Sequence, residues 1–175
     1  MTEIVKIPAE RIKAVRGEND SIKKLIERKC SVTLTIDEEG DVEIGGDPTE
    51  VFFAKDIVKA IGRGFEPRDA MRLGGHDYNL YIIQLKEVVG SDKAISRVKS
   101  RVIGTKGKIK KEIESATESS ISVYGNTVGI IARIDTMEYA KEAISMLVEG
   151  APHTTVLNYL AKARREIMDS RLKPQ

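Results

Sequence analysis

The chain contains one of its own segments twice. Gly17-Glu-Asn-Asp-Ser-Ile-Lys-Lys-Leu-Ile-Glu27 recurs 87 positions later as Gly104-Thr-Lys-Gly-Lys-Ile-Lys-Lys-Glu-Ile-Glu114. Gly, Ile, Lys, Lys, Ile and Glu coincide, and Val15 falls on Val102. Self-similarity at a fixed offset means one supersecondary unit used twice, so a reading of either copy constrains the other.

The pattern continues beyond the matched residues. Val32, Leu34 and Ile36 alternate with polar residues, as a half-buried strand does, and Ile121 and Val123 alternate with Ser in the second copy. Turn residues follow at Glu39-Gly40-Asp41 and at Gly125-Asn126. Second short strands are expected around Val42 to Ile44 and Val128 to Ile134. Each copy then enters a helix through an aspartate, Asp47 or Asp135, and Asp47-Pro48 has the form of an N-cap with a first-turn proline. Apolar stripes mark those helices: Val51, Ala54, Ile57, Val58 and Ile61, then Met137, Ala140, Ala143, Ile144, Leu147 and Val148. Ahead of each glycine loop a strand (Ile4 to Ile7, Leu80 to Leu85) leads into a helix (Ala9 to Val15, Asp92 to Val102).

Each half thus reads strand, helix, glycine loop, helix, strand, strand, helix. The expected class is α+β. The divisions fall at 1–65 for the first domain, 66–77 for a linker with a short helix opened by Pro67, and 78–150 for the second domain. A C-terminal helix occupies 151–175, with Val156, Leu157, Leu160, Ala163 and Ile167 on one side and Arg164, Arg165, Arg171 and Lys173 at its basic end.

The overall charge of +2 conceals a polarity. Lys93, Arg97, Lys99, Arg101, Lys106, Lys108, Lys110 and Lys111 face one acid, Asp92, within residues 92–111, a net of +7 that leaves −5 for the rest. Positive charge gathered in one segment of a near-neutral chain points to a polyanion. Gly104-Thr105-Lys106-Gly107 lies at the centre of that block. A glycine loop lets a ligand approach backbone that a Cβ would screen. The helix that follows offers free N–H groups and its positive dipole end to an anion.

Strand, helix, GxxG loop, helix, strand, strand, helix resembles the K-homology (KH) domain in its eukaryotic-type topology. The resemblance covers both halves and is strongest over 78–150. It implies β-α-α-β-β-α units with a three-stranded antiparallel sheet and helices on one face. It also implies that the loop clamps the backbone of about four single-stranded nucleotides while bases lie in an apolar groove beside it. Carried onto this chain, the RNA-binding residues are Gly104, Thr105, Lys106 and Gly107 of the loop; Ile103, Ile109, Ile113 and Ile121 as groove walls; and Arg101, Lys108, Lys110 and Lys111 as basic partners. The first copy departs from the pattern. Its loop is Gly17-Glu18-Asn19-Asp20, whose two carboxylates repel a phosphodiester, and Asp20 is expected to cap the next helix. That half is expected to clamp RNA poorly and to bind protein or pack on its neighbour.

The further sequence of features narrows the resemblance. Ile61-Gly-Arg-Gly-Phe65, Arg68-Asp-Ala-Met-Arg-Leu73 and Gly150-Ala-Pro-His153 frame the two halves as they do in the archaeal partner-of-Nob family of small-subunit ribosomal RNA processing factors. The resemblance implies binding to the 3′ region of small-subunit ribosomal RNA during pre-ribosome maturation. It further implies partnership with the Nob endonuclease and with an archaeal initiation-factor subunit.

Other features carry less. Arg63-Gly64-Phe65 imitates part of an RNA-recognition-motif signature, but Glu66-Pro67 follows, so a helix stop is the reading and Phe65 an interdomain packing residue. Tyr124 fits base stacking and hairpin-edge packing equally well. One cysteine and two histidines supply neither a disulfide framework nor the usual zinc set, so a reducing, cytoplasmic setting is expected. No apolar run exceeds four residues, so no membrane span or cofactor is expected. No nucleophile–base arrangement suggests an enzyme. The expectation is a non-enzymatic single-stranded RNA-binding protein; the alternative is a protein–protein adaptor in RNA processing or translation initiation built on KH platforms.

Overall fold

A computed structural model describes residues 1–174. The chain divides into two compact units at Leu80/Tyr81. In the first unit β1 (Thr2–Lys6) leads to α1 (Ile12–Arg16) and, after the 17–20 loop, to α2 (Ser21–Cys30). Strands β2 (Thr33–Ile36) and β3 (Asp41–Gly45) follow, then α3 (Pro48–Gly62) and the one-turn helix α4 (Pro67–Ala70). The sheet order is β1-β3-β2, with both pairs antiparallel: Val5 faces Val42, and Leu34 faces Ile44. Period-2 patterning puts Leu34, Ile36, Val42 and Ile44 inward and the threonines of β2 outward. Against them lie Val51, Ala54, Ile57, Val58 and Ile61, a stripe at helical spacing on α3. The segment 66–77 is part of this unit: Ala70 and Leu73 are buried, and α4 packs on α3.

The second sheet has the same order, β4-β6-β5, from β4 (Tyr78–Gln84), β5 (Ser120–Tyr124) and β6 (Thr127–Arg133). Between β4 and β5 run a one-turn helix α5 (Leu85–Val88), α6 (Asp92–Ile103), the 104–107 loop and α7 (Lys108–Thr117). After the sheet come α8 (Met137–Val148) and α9 (His153–Leu172), which packs on α7 and α8 through Val156, Leu160, Ala163 and Ile167. The core joins Val98, Val102, Ile113, Val128, Ile130, Ile144 and Leu147. The expected half-burial of β5 does not hold. Ser120 and Ser122 are buried along with Ile121, and β6 is buried from Thr127 through Ala132, because both faces of these strands are covered.

The helix entries differ between copies. Asp47 caps α3 as its sequence suggests, its Oδ1 accepting from the Thr49 amide at 3.1 Å. Asp135 does not cap α8: the N-cap position falls on Thr136, and Asp135 instead pairs with Arg133 at 3.3 Å. The helix exits agree more closely. Each ends in a left-handed glycine, Gly64 (φ 94°) or Gly150 (φ 92°). The next amide reaches back five residues, Phe65 to Ala60 and Ala151 to Met146. An arginine secures each exit. Arg11 donates to the carbonyls of Ile61 at 2.9 Å and Phe65 at 3.1 Å, and Arg101 donates to those of Leu147 and Ala151. The two arginines are not repeat equivalents, since 87 positions after Arg11 stands Val98. The same carbonyl pair has been met from a different helical turn.

Candidate nucleic-acid interface

The loop at 104–107 is a backbone device before it is a chemical one. Gly104 has φ 73° and ψ 176°, a region that only glycine occupies freely. A Cβ there would stand 2.5 Å from Ile109 Cγ1 and 2.9 Å from the Ile109 amide, so a side chain is excluded twice over. Lys106 (φ 55°) and Gly107 (φ 73°) follow in left-handed conformation and turn the chain into α7. A Cβ on Gly107 would meet nothing within 4 Å. Its missing side chain therefore leaves open surface over the first turn of α7. No side chain caps that turn, so the helix presents its N-terminal amides and positive dipole end to whatever occupies the space.

The basic side chains divide into those that are free and those already engaged. Lys106, Lys108 and Lys111 are exposed and form no ion pair among the described residues. Thr105, with its hydroxyl, is exposed beside them. Lys93 and Arg97, one turn apart on α6, are exposed as well. Lys110 is held at 2.8 Å by Glu114, and the repeat makes the same pair, Lys23 with Glu27 at 3.3 Å. That i,i+4 pairing is visible in both copies of the sequence and takes Lys110 out of the free set. Arg101 donates through Nε and Nη2 to the carbonyls of Leu147 and Ala151, as described above, so part of its guanidinium is committed to the fold.

The apolar wall needs a similar correction. Of the four isoleucines expected to line a groove, Ile103 stays exposed, at 37 %. Ile113 is wholly buried, and Ile109 and Ile121 are 95 % or more buried. They belong to the core because the i,i+4 stripe of α7 packs down onto β5 and α6. Ile109 supports the loop from beneath, against Gly104. Tyr124 is half-buried at the end of β5, its carbonyl accepting from Thr127 Oγ1 at 2.9 Å.

Position by position, the 17–20 loop has the same backbone. Gly17 has φ 70° and ψ 179°, Asn19 φ 52°, and Asp20 φ 59°. A Cβ on Gly17 would lie 2.5 Å from Ile22 Cγ1, as one on Gly104 would from Ile109. Asp20 stands where Gly107 stands in the second copy. It occupies the N-cap position of α2, but its carboxylate caps nothing; it pairs with Arg16 at 3.2 Å. The left-handed backbone points Asp20 away from the amides it was expected to serve. Glu18 and Asn19 border an open surface groove along α2 with Lys24 and Arg28.

Sequence reasoning missed the clasp at the far end of α7. Glu118, left-handed at φ 52°, accepts a two-pronged hydrogen bond from Arg171 of α9, and this contact holds its carboxyl below the usual range. Nearby, Arg164 donates to Ser115 Oγ at 3.0 Å. The basic end of α9 is thus partly spent on α7. Cys30 is buried, which pushes its thiol up, and His76 lies edge-on to Phe53 with 4.9 Å between ring centroids. Phe65 is buried. Among the described residues no group of His, Cys, Asp or Glu could hold a metal ion, and no helix is long and apolar enough to cross a membrane.

Comparison with known proteins bears on this geometry. The eukaryotic-type KH domain (KH-domain type I), in the form of the second Pno1 domain, matches residues 79–165. A KH domain-containing protein of Methanocaldococcus jannaschii is 42 % identical over 98 % of this chain and 78 % of its own length. The pre-rRNA-processing protein PNO1 of Chaetomium thermophilum is 32 % identical, over 98 % of this chain and 68 % of its own. Among solved structures, a chain of the a/eIF2alpha–aDim2p–rRNA complex from Pyrococcus horikoshii OT3 superposes with a TM-score of 0.88 at 41 % identity, covering 95 % of each.

Proposed function

The chain belongs to the Pno1 (Dim2) family of KH-domain pre-rRNA-processing proteins, and from that premise we propose that it is a non-enzymatic tandem KH protein. In this reading it binds single-stranded small-subunit ribosomal RNA, near the 3′ end, through the 104–107 loop. One observation carries the division of labour. Two loops share a backbone, and in only one of them is the space over the helix N-terminus open and flanked by unpaired lysines. Phosphate sits over the first turn of α7, where Gly107 lets it approach and Lys106, Lys108 and Lys111 neutralise it. Ile103 supplies an apolar contact to a base. The protein contributes binding and placement, and the setting is the cytoplasm.

The first half serves protein partners. Its loop carries Glu18 and Asp20, so the same surface repels RNA and suits a basic or polar protein face. The solved relative was crystallised with a/eIF2alpha as well as rRNA, which supports an initiation-factor subunit as one such partner; a Nob endonuclease as a further partner rests on the family resemblance alone.

The test is binding of a single-stranded oligonucleotide of the small-subunit 3′ sequence and of the same sequence in a duplex. A KH groove reads unstacked bases, so the single strand should bind at least tenfold more tightly. Equal affinity for the two forms would mean a nonspecific basic surface and would overturn the proposal.

A further inference from the structure

The second unit has another concave surface, built from elements that contribute nothing to the 104–107 loop. A groove of about 470 Å³ runs between β4, α5 and α8. Its floor is apolar: Tyr81, Ile83, Val88 and Val148. Two of these are large side chains left in water, Tyr81 at 41 % and Val88 at 52 % exposure, on a unit whose other apolar residues mostly pack inward. Adjacent apolar side chains at the base of a groove offer a partner's aliphatic group a place to be buried.

The rim is acidic. Glu138, Glu142, Ser145 and Glu149 recur at spacings of four, three and four, one face of α8 and its end. Glu142 and Glu149 are exposed and make no ion pair among the described residues. The acidic field reaches further: Tyr159 is pushed up to about 12, first by burial and then by Glu142. The groove already demonstrates which ligand chemistry it accepts. The Lys141 ammonium lies 4.2 Å from the centre of the Tyr81 ring and 3.2 Å from Glu138 Oε1. A cation is thus held between an aromatic face and a carboxylate, with Glu142 and Glu149 left over.

We propose that this groove is a docking site for an extended, basic segment of a protein partner, with an aliphatic side chain seated on Ile83, Val88 and Val148 and flanking Lys or Arg heads on Glu142 and Glu149. The spacing suits it. Seven helical residues separate the two glutamates by about 10 Å, and an extended chain places residues i, i+2 and i+4 on one face over about 13 Å, a span that long Lys or Arg side chains can close. The sequence class is therefore Arg or Lys, any residue, an aliphatic residue, any residue, then Arg or Lys, which puts both basic heads and the aliphatic side chain on one face. RNA is disfavoured here by the same carboxylates, so the second unit presents a basic surface to nucleic acid and an acidic, apolar one to protein.

The experiment uses the full chain and a fluorescein-labelled synthetic peptide containing Arg-Ser-Leu-Ser-Arg, read by anisotropy and by amide shift mapping. Shifts should cluster at Tyr81, Ile83, Val88 and α8. A peptide with Ser in place of the Leu should bind at least tenfold more weakly. Glu142→Lys combined with Glu149→Lys should cost at least tenfold in affinity, and so, separately, should Val88→Asp; all are exposed positions, and circular dichroism checks the fold. Absence of binding, shifts centred on Glu18 and Asp20 instead, equal affinity for the Ser peptide, or equal displacement by spermine would overturn the proposal.

Discussion

Asp20 and Gly107 occupy the same place in two copies of one loop, at φ 59° and φ 73°. Everything beneath them is alike: a glycine against an isoleucine, a second left-handed residue, a ten-residue helix with a Lys–Glu pair. What differs is the outward chemistry. The second copy keeps a bare backbone and unpaired lysines; the first sets a side chain at the corresponding position, its carboxylate paired with Arg16, and adds Glu18. Fold and function are thus separable within four residues. The first glycine of each loop is demanded by the protein's own packing. The second is not, since Asp20 tolerates the conformation with a side chain at a cost of about 1 kcal/mol, offset in part by Arg16. A residue that the fold does not require and the ligand does is the mark of a binding position.

The comparison breaks most visibly at the first glycine. Gly104→Ala and Gly17→Ala should each destabilise by about 3 kcal/mol, from a glycine-only backbone region plus the clash with Ile109 or Ile22. Urea melts should show losses of similar size for the two; a neutral result at either would mean that its loop is held differently. Next comes charge. Thr105→Asp with Lys106→Asp keeps the glycines but should lower single-stranded RNA affinity well over tenfold, about 1.4 kcal/mol per decade. Asn19→Asp should change it less than twofold, because carboxylates already flank that loop. Equal losses would end the division of labour between the halves.

A third substitution moves one copy's residue into the other. Gly107→Asp places the first loop's last residue in the second, and the open space means the fold should lose only about 1 kcal/mol while RNA affinity falls. Salt sharpens the same point. With Lys106, Lys108 and Lys111 as the free set, the log–log slope of affinity against salt should be near −2, at about −0.7 per phosphate. A slope near −3 or steeper would bring Lys110, or the α6 pair Lys93 and Arg97, into the contact.

The smallest effect concerns the α9 clasp, which the first copy lacks. Glu118 is held below the usual carboxylate range by Arg171, so its contribution is present above that range and lost as pH falls through the lowered value. The pair is partly exposed, and its worth is about 0.5 kcal/mol. Thermal melts between about pH 6 and pH 3 should show a slightly steeper acid loss for the wild type than for Arg171→Ala.

Much of this was legible in the residue order. The offset between the two glycine segments gave the duplication, and period-2 and period-3.6 patterning gave the element order in both halves. Asp47-Pro48 announced the start of α3. Asp135 and Asp20 misled, because capping depends on where the backbone aims a carboxylate, and the turns at Asp20 and Thr136 aim it elsewhere. Ile109, Ile113 and Ile121 fit a groove wall by residue type, yet the stripe of α7 and the facing strand β5 turn them into the core, where burial of each is worth about 2 kcal/mol.

The sequence by itself determined the repeat, the two sheets with their helices, the location of the positive charge and the glycine on which each loop turns. These follow from local rules: side-chain periodicity, φ limits and charge counting along the chain. The tertiary structure decided which of the charges remain available. Arg101 finds its partners 46 and 50 residues away, and Arg171 finds Glu118 53 away. A guanidinium whose Nε and one Nη donate to carbonyls has fewer of its five N–H groups left for a phosphate, and only the fold determines which carbonyls come within its reach.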